Sequence, residues 1–234
     1  MMNIPFLSQA QIENDALSLL AAYGRTFAEI AAPPIPVEEI IECHLNIDFR
    51  IENLPKMIGQ PDVLGATWIE EQRIYVDESL DPTVFPEKEG RYRFTLSHEV
   101  GHWQLHRPYL LARANQGLLF AETKEPSIVC RIQSNRDPIE WQADTFAGYL
   151  LMPKEMVRSI WREVRGSNEP YLAVDEMAAR SAGWSLAENN RPTIGVARDM
   201  ARIFKVSGQA MQIRLTGLGL IQTQAAAPAL FSQQ

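Results

Sequence analysis

His98-Glu99-Val100-Gly101-His102 sets two imidazoles four residues apart, with a carboxylate beside the first. On a helix, residues i and i+4 share a face, with Cβ atoms roughly 5–6 Å apart. Two ring nitrogens on that face can converge on one Zn²⁺ at about 2.0–2.1 Å each. Glu99 is turned about 100° around the helix from His98, so it can reach past the ion toward a water. The chemistry predicted is peptide hydrolysis by a metal-activated water, with Glu99 as general base. The run Arg91-Tyr92-Arg93-Phe94-Thr95-Leu96-Ser97 holds no Gly or Pro and reads as the first turns of the same helix.

A catalytic zinc site takes three protein ligands and keeps one place for water. Glu140-Trp141-Gln142-Ala143-Asp144 is the candidate source of the third. Trp141, Phe146, Ala147, Leu150 and Leu151 give this segment the pattern of a helix with one buried face. Pro138 stands where that helix would begin and Pro153 where it would end. Glu140 and Asp144 then share a face. Glu140 is assigned to the metal. Asp144 is assigned to the outer nitrogen of a ligand histidine, where it would fix the tautomer. His106 follows His102 by four, but it is about 12 Å of helix rise from His98, too far to share one ion. It reads instead as a pocket wall or helix end, and His44 as a packed or partly exposed residue. Tyr149, Tyr109 and His106 are unranked candidates for an oxyanion donor.

Two blocks carry a family resemblance. Arg93 to His102 (RFTLSHEVGH) resembles a conserved block of the ImmA/IrrE metallopeptidases, and Glu140 to Pro153 (EWQADTFAGYLLMP) resembles a second. Pro33 to Ile40 is similar to the family's lead-in. The resemblance spans roughly residues 10 to 160. It implies an α+β fold, a minimal zincin-like metallopeptidase domain of a small mixed sheet plus helices. It also implies Zn²⁺, with Mn²⁺ or Fe²⁺ as alternatives, bound by His98, His102 and Glu140, and Glu99 as the base. The implied activity is cleavage of a protein substrate, a helix-turn-helix repressor, in a stress or mobile-element response. Gln142 departs from the pattern, standing where the family usually has a second Glu. The stretch from Gln104 to Ile139 is long for the family.

Composition agrees with a globular protein. A length of 234 residues suits one mid-sized domain or two small ones, and 46% hydrophobic residues can build a core. A net charge of −7 argues against bulk attraction to nucleic acid. Cys43 and Cys130 supply no disulfide framework, which suits a reducing cytoplasm. No signal peptide or membrane span is expected.

Local patterns outline the remaining elements. Gln9 to Tyr23 reads as an amphipathic helix and Val37 to Cys43 as a short one. Leu45 to Ile51 alternates as a half-buried strand, and Leu64–Ile69 with Arg73–Val76 reads as a hairpin. If the second hairpin strand borders the cleft, it could pair with an extended substrate; an interior strand is the equal alternative. Asp81 to Glu89 reads as a loop, Ser127 to Ile132 as a short strand, and Pro153 to Val164 as a helix. The metal helices are expected near 90–106 and 138–152.

The predicted division is a metallopeptidase domain over 1–165, a helical C-terminal segment over 166–221, and a disordered tail over 222–234. In that segment Val196–Phe204 and Ser207–Thr216 resemble a helix-turn-helix, with Ser207 as the cap of the second helix. Arg191, Arg198, Arg202, Lys205 and Arg214 against Asp199 give it a local charge of +4. A DNA-binding regulator that keeps a structural or sensing metal is therefore the competing function. A patch of five cations is modest, and a packed hairpin with solvated arginines is favoured over direct DNA contact.

Overall fold

In a computed structural model of the chain, residues 4–117, 126–131, 137–182 and 192–222 are described. They form the expected mixed α+β architecture and divide into two compact units: Met1–Pro153 with Phe204–Val206, and Lys154–Ile203 with Ser207–Gln234. The tail beyond Gln222, Arg191, and residues 118–125 and 132–136 of the long connection lie outside the described residues.

The first unit begins with α1 (Gln9–Thr26), which starts on a reciprocal cap. The Gln11 amide donates to Ser8 Oγ at 3.4 Å, and the Ser8 amide donates to Gln11 Oε1 at 2.9 Å. Ile12, Ala16, Leu19 and Tyr23 fall at helical spacing and are buried. The short α2 (Val37–Glu39) runs on into a π-helical turn at Ile40–His44, the segment read as one short helix. Next come β1 (Asp48–Glu52), α3 (Leu54–Ile58), β2 (Val63–Trp68) and β3 (Arg73–Asp77). They are followed by α4 (Glu89–Gly117), β4 (Ile128–Arg131) and α5 (Pro138–Leu151).

Four strands form one sheet in the order β1-β3-β2-β4. The β2–β3 hairpin is antiparallel as predicted, β1 runs parallel to β3, and β4 runs antiparallel to β2. This order corrects one expectation. The second hairpin strand, β3, pairs on both sides with β1 and β2, so its backbone cannot receive a substrate. Among the described residues the outer strand beside β2 is β4. Side chains alternate across β2. Ala66 and Trp68 join Leu54 and Val63 in a core cluster, while Gly65 and Thr67 face α4.

Helix α4 is longer than its pattern suggested. It continues through Pro108 to Gly117, where an end near residue 106 was expected. Its first turns are pinned by one part-buried and one buried polar contact. Tyr92 Oη donates to Glu38 Oε1 at 2.9 Å, and Arg93 Nη2 donates to the Ile35 carbonyl at 2.5 Å. Helix α5 starts as predicted, with Pro138 in its first turn and the Ile139 amide donating to Asp137 Oδ1 at 3.1 Å. Gly101 lets the two helices approach. A Cβ there would stand 3.1 Å from both Ala143 Cα and the Ala143 carbonyl oxygen, and 3.2 Å from Phe146 Cβ. Gln142, the departure from the family block, is buried, and its Oε1 accepts the Leu7 amide at 3.3 Å. Phe6 stacks on Trp141 with ring centroids 5.3 Å apart. The residue at 142 thus holds the N-terminal segment against α5.

The second unit contains α6 (Lys154–Arg165), β5 (Tyr171–Leu172), α7 (Val174–Ser181), α8 (Gly195–Phe204), α9 (Gly208–Gly217) and β6 (Ile221–Gln222). β5 and β6 pair in parallel. Glu176 ties the unit together, accepting from the Gly195 amide and Arg180 Nε at 2.8 Å each and from Tyr171 Oη at 3.1 Å. Between α8 and α9 the chain turns at Lys205, whose φ of +53° is left-handed. Ser207 Oγ then accepts the Ala210 amide at 3.1 Å, the predicted cap. The basic character expected of this hairpin is reduced. Arg214 is buried, and Arg202 pairs with Asp199 at 2.9 Å.

Candidate metal centre

Three donors from α4 and α5 converge. His98 Nε2 and His102 Nε2 lie 2.9 Å apart; His98 Nε2 is 3.3 Å from Glu140 Oε2, and His102 Nε2 is 3.3 Å from Glu140 Oε1. Bonds of about 2.05 Å at tetrahedral angles require donors roughly 3.3 Å apart, so this triangle fits a small divalent ion. All three residues are buried. Together they form one of two groups among the described residues that could hold a metal ion.

The outer nitrogens are committed elsewhere. His98 Nδ1 lies 2.8 Å from Asp144 Oδ1, the pairing read from the i, i+4 spacing on α5. His102 Nδ1 lies 2.9 Å from His106 Nδ1, and His106 is wholly buried. When His102 Nε2 gives its lone pair to an ion, its Nδ1 carries the ring proton and donates to His106. His106 must then hold its own proton on Nε2, the buried atom left without a partner. In this arrangement His106 serves as the hydrogen-bond partner of His102. It stands behind His102 as Asp144 stands behind His98.

Glu99 lies against the sheet, with no exposed surface. Its Oε2 accepts from Thr67 Oγ1 at 2.6 Å, and among the described residues its Oε1 has no hydrogen-bond partner. Gly65 makes room for it, since a Cβ at residue 65 would stand 2.5 Å from Glu99 Oε1. On β4, the Cys130 sulfur forms the second potential metal-holding group, with His98 and Glu99.

Burial and charge set the protonation states of these groups. Burial pushes the Glu99 carboxyl up to about 7, against the downward pull of His98 and Thr67. Burial also works upward on Glu140, but hydrogen bonds from His102 and His98 outweigh it and hold Glu140 well below the ordinary carboxylate range. Burial alone would lower His98; hydrogen bonds with Asp144, Cys130 and Glu140 carry it well above the ordinary histidine value. His102 is lowered by burial, and His106 is lowered to about 3 by burial and by His102. One buried carboxylate is thus kept ionised while its neighbour stays near neutrality, a division of labour that hydrolytic sites use.

Sequence reasoning brought His98, Glu99, His102, Glu140 and Asp144 to one place, and the structure gathers all five. It missed Gly65, Thr67 and Cys130. For Gly65 and Thr67 the only sequence signal was the period-2 alternation of β2, which does not tell which face meets α4; Cys130 lies on β4.

A helix pair with this donor set defines the metallopeptidase-like class. The chain belongs to the family described as the IrrE N-terminal-like domain, peptidase M78, whose profile matches residues 44–216. No curated protein sequence matches it. Among solved structures it is similar to a Mycobacterium tuberculosis transcriptional regulator, with a TM-score of 0.45 and 12% identity. That likeness covers 89% of this chain and 48% of the regulator, so the chain spans about half the length of that protein. Among the described residues no helix is long and apolar enough to cross a membrane.

Proposed function

We propose that the chain is a zinc-dependent endopeptidase that cuts a helix-turn-helix repressor. The observation that carries this reading is the convergence of His98 Nε2, His102 Nε2 and Glu140 beside a buried glutamate with one unpartnered oxygen. Two imidazoles and a carboxylate suit Zn²⁺, and they also suit Mn²⁺ or Fe²⁺. The repressor substrate rests on the family resemblance of the two sequence blocks.

A divalent ion held by these donors would polarise the scissile carbonyl and acidify a water. Asp144 and His106 orient the two imidazoles so that both Nε2 atoms face inward. Thr67 holds Glu99 by Oε2, which leaves Oε1 to take the water proton and later pass it to the leaving amine. The outer strand β4 offers backbone groups along which an extended substrate segment can lie. The test is to incubate metal-loaded protein with helix-turn-helix repressors from the same genome. Two fragments from the wild type and none from Glu99→Gln are expected. Intact repressor in both refutes the reading.

A further inference from the structure

Cys130 stands on the outer strand β4, half-buried, directly across from Gly65 in the β2–β4 register. Opposed residues of an antiparallel pair point to the same face. Gly65 faces Glu99, so Cys130 faces Glu99 as well. Its sulfur, a His98 ring nitrogen and a Glu99 carboxylate oxygen lie within 4.8 Å of one another.

Asp144 occupies Nδ1 of the His98 ring at 2.8 Å, which leaves the Nε2 side, the side turned toward His102 and Glu140. The sulfur lies beside the His98 imidazole and next to the proposed base. A second observation points the same way. Glu99 is fully buried, and its Oε1, the oxygen beside Gly65, has no hydrogen-bond partner among the described residues.

The geometry points to Cys130 as a closing ligand, a thiolate that takes the fourth place on an ion held by His98, His102 and Glu140 and so makes a latent form. This rests on the three-donor reading given above. Sulfur is a preferred zinc ligand, and a thiol that coordinates the ion is deprotonated outright. The step balances without an oxidant or reductant. The S–H bond breaks, a sulfur–metal bond forms, and the displaced water leaves with the proton. Reopening reverses each change. The groups His98–His102–Glu140 and His98–Glu99–Cys130 share only His98, so closing takes a rotamer step of Cys130. Open and closed forms then exchange, and substrate competes with the sulfur for the same place.

The test uses the full chain carrying Cys43→Ser, which removes the other cysteine, with and without Cys130→Ser. Each protein is loaded with one equivalent of Zn²⁺ or Co²⁺. X-ray absorption at the zinc edge should show one sulfur at about 2.3 Å in the Cys130 protein, and only nitrogen and oxygen neighbours in Cys130→Ser. The cobalt form should show a thiolate charge-transfer band that the serine variant lacks. Iodoacetamide should label Cys130 at least tenfold more slowly after zinc loading, a measurement that needs no variant at that position. Bound metal with no sulfur neighbour, and labelling unchanged by zinc, overturns the proposal while leaving the three-donor site intact. Failure of the Cys130 protein to bind metal overturns the three-donor reading, and this proposal with it.

Discussion

Gly65→Ala tests how closely the sheet holds the proposed base. The new methyl would stand 2.5 Å from Glu99 Oε1, 2.9 Å from Thr95 Cγ2 and 3.1 Å from Glu99 Cδ. Two of these separations are shorter than side-chain carbons tolerate, so something must move. Glu99 cannot simply swing aside, because it is wholly buried and Thr67 grips Oε2 at 2.6 Å. Overpacking of this kind costs about 1–3 kcal/mol. In a unit of this size each kcal/mol lowers Tm by roughly 2–4 °C. Relieving the contact displaces the carboxylate by a sizeable fraction of an ångström, and misplacing a catalytic group by 1 Å can cost ~100-fold in rate. The three atoms nearest the new methyl belong to Glu99 and Thr95, not to the metal donors, so metal uptake should be unchanged. The assays are metal content after gel filtration, a thermal melt, and kcat/KM for repressor cleavage. Full activity with an unchanged melt would refute the reasoning, since it would mean that Glu99 is not seated against β2.

Thr67→Val removes the hydroxyl that draws Glu99 downward, so the acid limb of the pH–rate profile should move to higher pH, with kcat falling ~10-fold. The sign follows from the role: a base must be ionised, and a carboxylate without its donor ionises later. An acid limb that stays in place would contradict the contact. Asp144→Asn leaves the outer nitrogen of His98 without its carboxylate and should weaken zinc binding ~10–100-fold in a competition titration with a chelator. His106→Phe should weaken zinc binding by a similar factor while His106→Gln, which can still accept from His102 Nδ1, recovers most of it. Equal losses in both would leave His106 a space-filling residue. Gly101→Ala should destabilise the protein by about 1–3 kcal/mol in urea unfolding, because its methyl meets the Ala143 backbone at 3.1 Å.

The part of the site legible in the sequence is the part carried on helices. Four-residue spacing alone put His98 with His102 and Glu140 with Asp144, since helical geometry converts that spacing into a shared face. The hairpin of β2 and β3 was legible from alternation. Strand order was not, because no local pattern says that β1 comes to lie beside β3 and leaves β4 on the outside. Thr67 and Gly65 reach Glu99 across 32 and 34 residues of chain, and Cys130 arrives from the opposite side. The four-residue step to His106 was visible, but its use was not. Distance rightly excluded it as a ligand, and only the ring orientation made it the hydrogen-bond partner of His102. Helix α4 outran its expected end near residue 106, continuing through Pro108 to Gly117.

Anomalous scattering at the zinc edge from crystals of metal-loaded protein addresses the central claim most directly. One peak should lie within about 2.0–2.2 Å of His98 Nε2, His102 Nε2 and a Glu140 oxygen, and Glu140→Ala crystals should lack it. A peak elsewhere, or one that survives the loss of Glu140, would contradict the account.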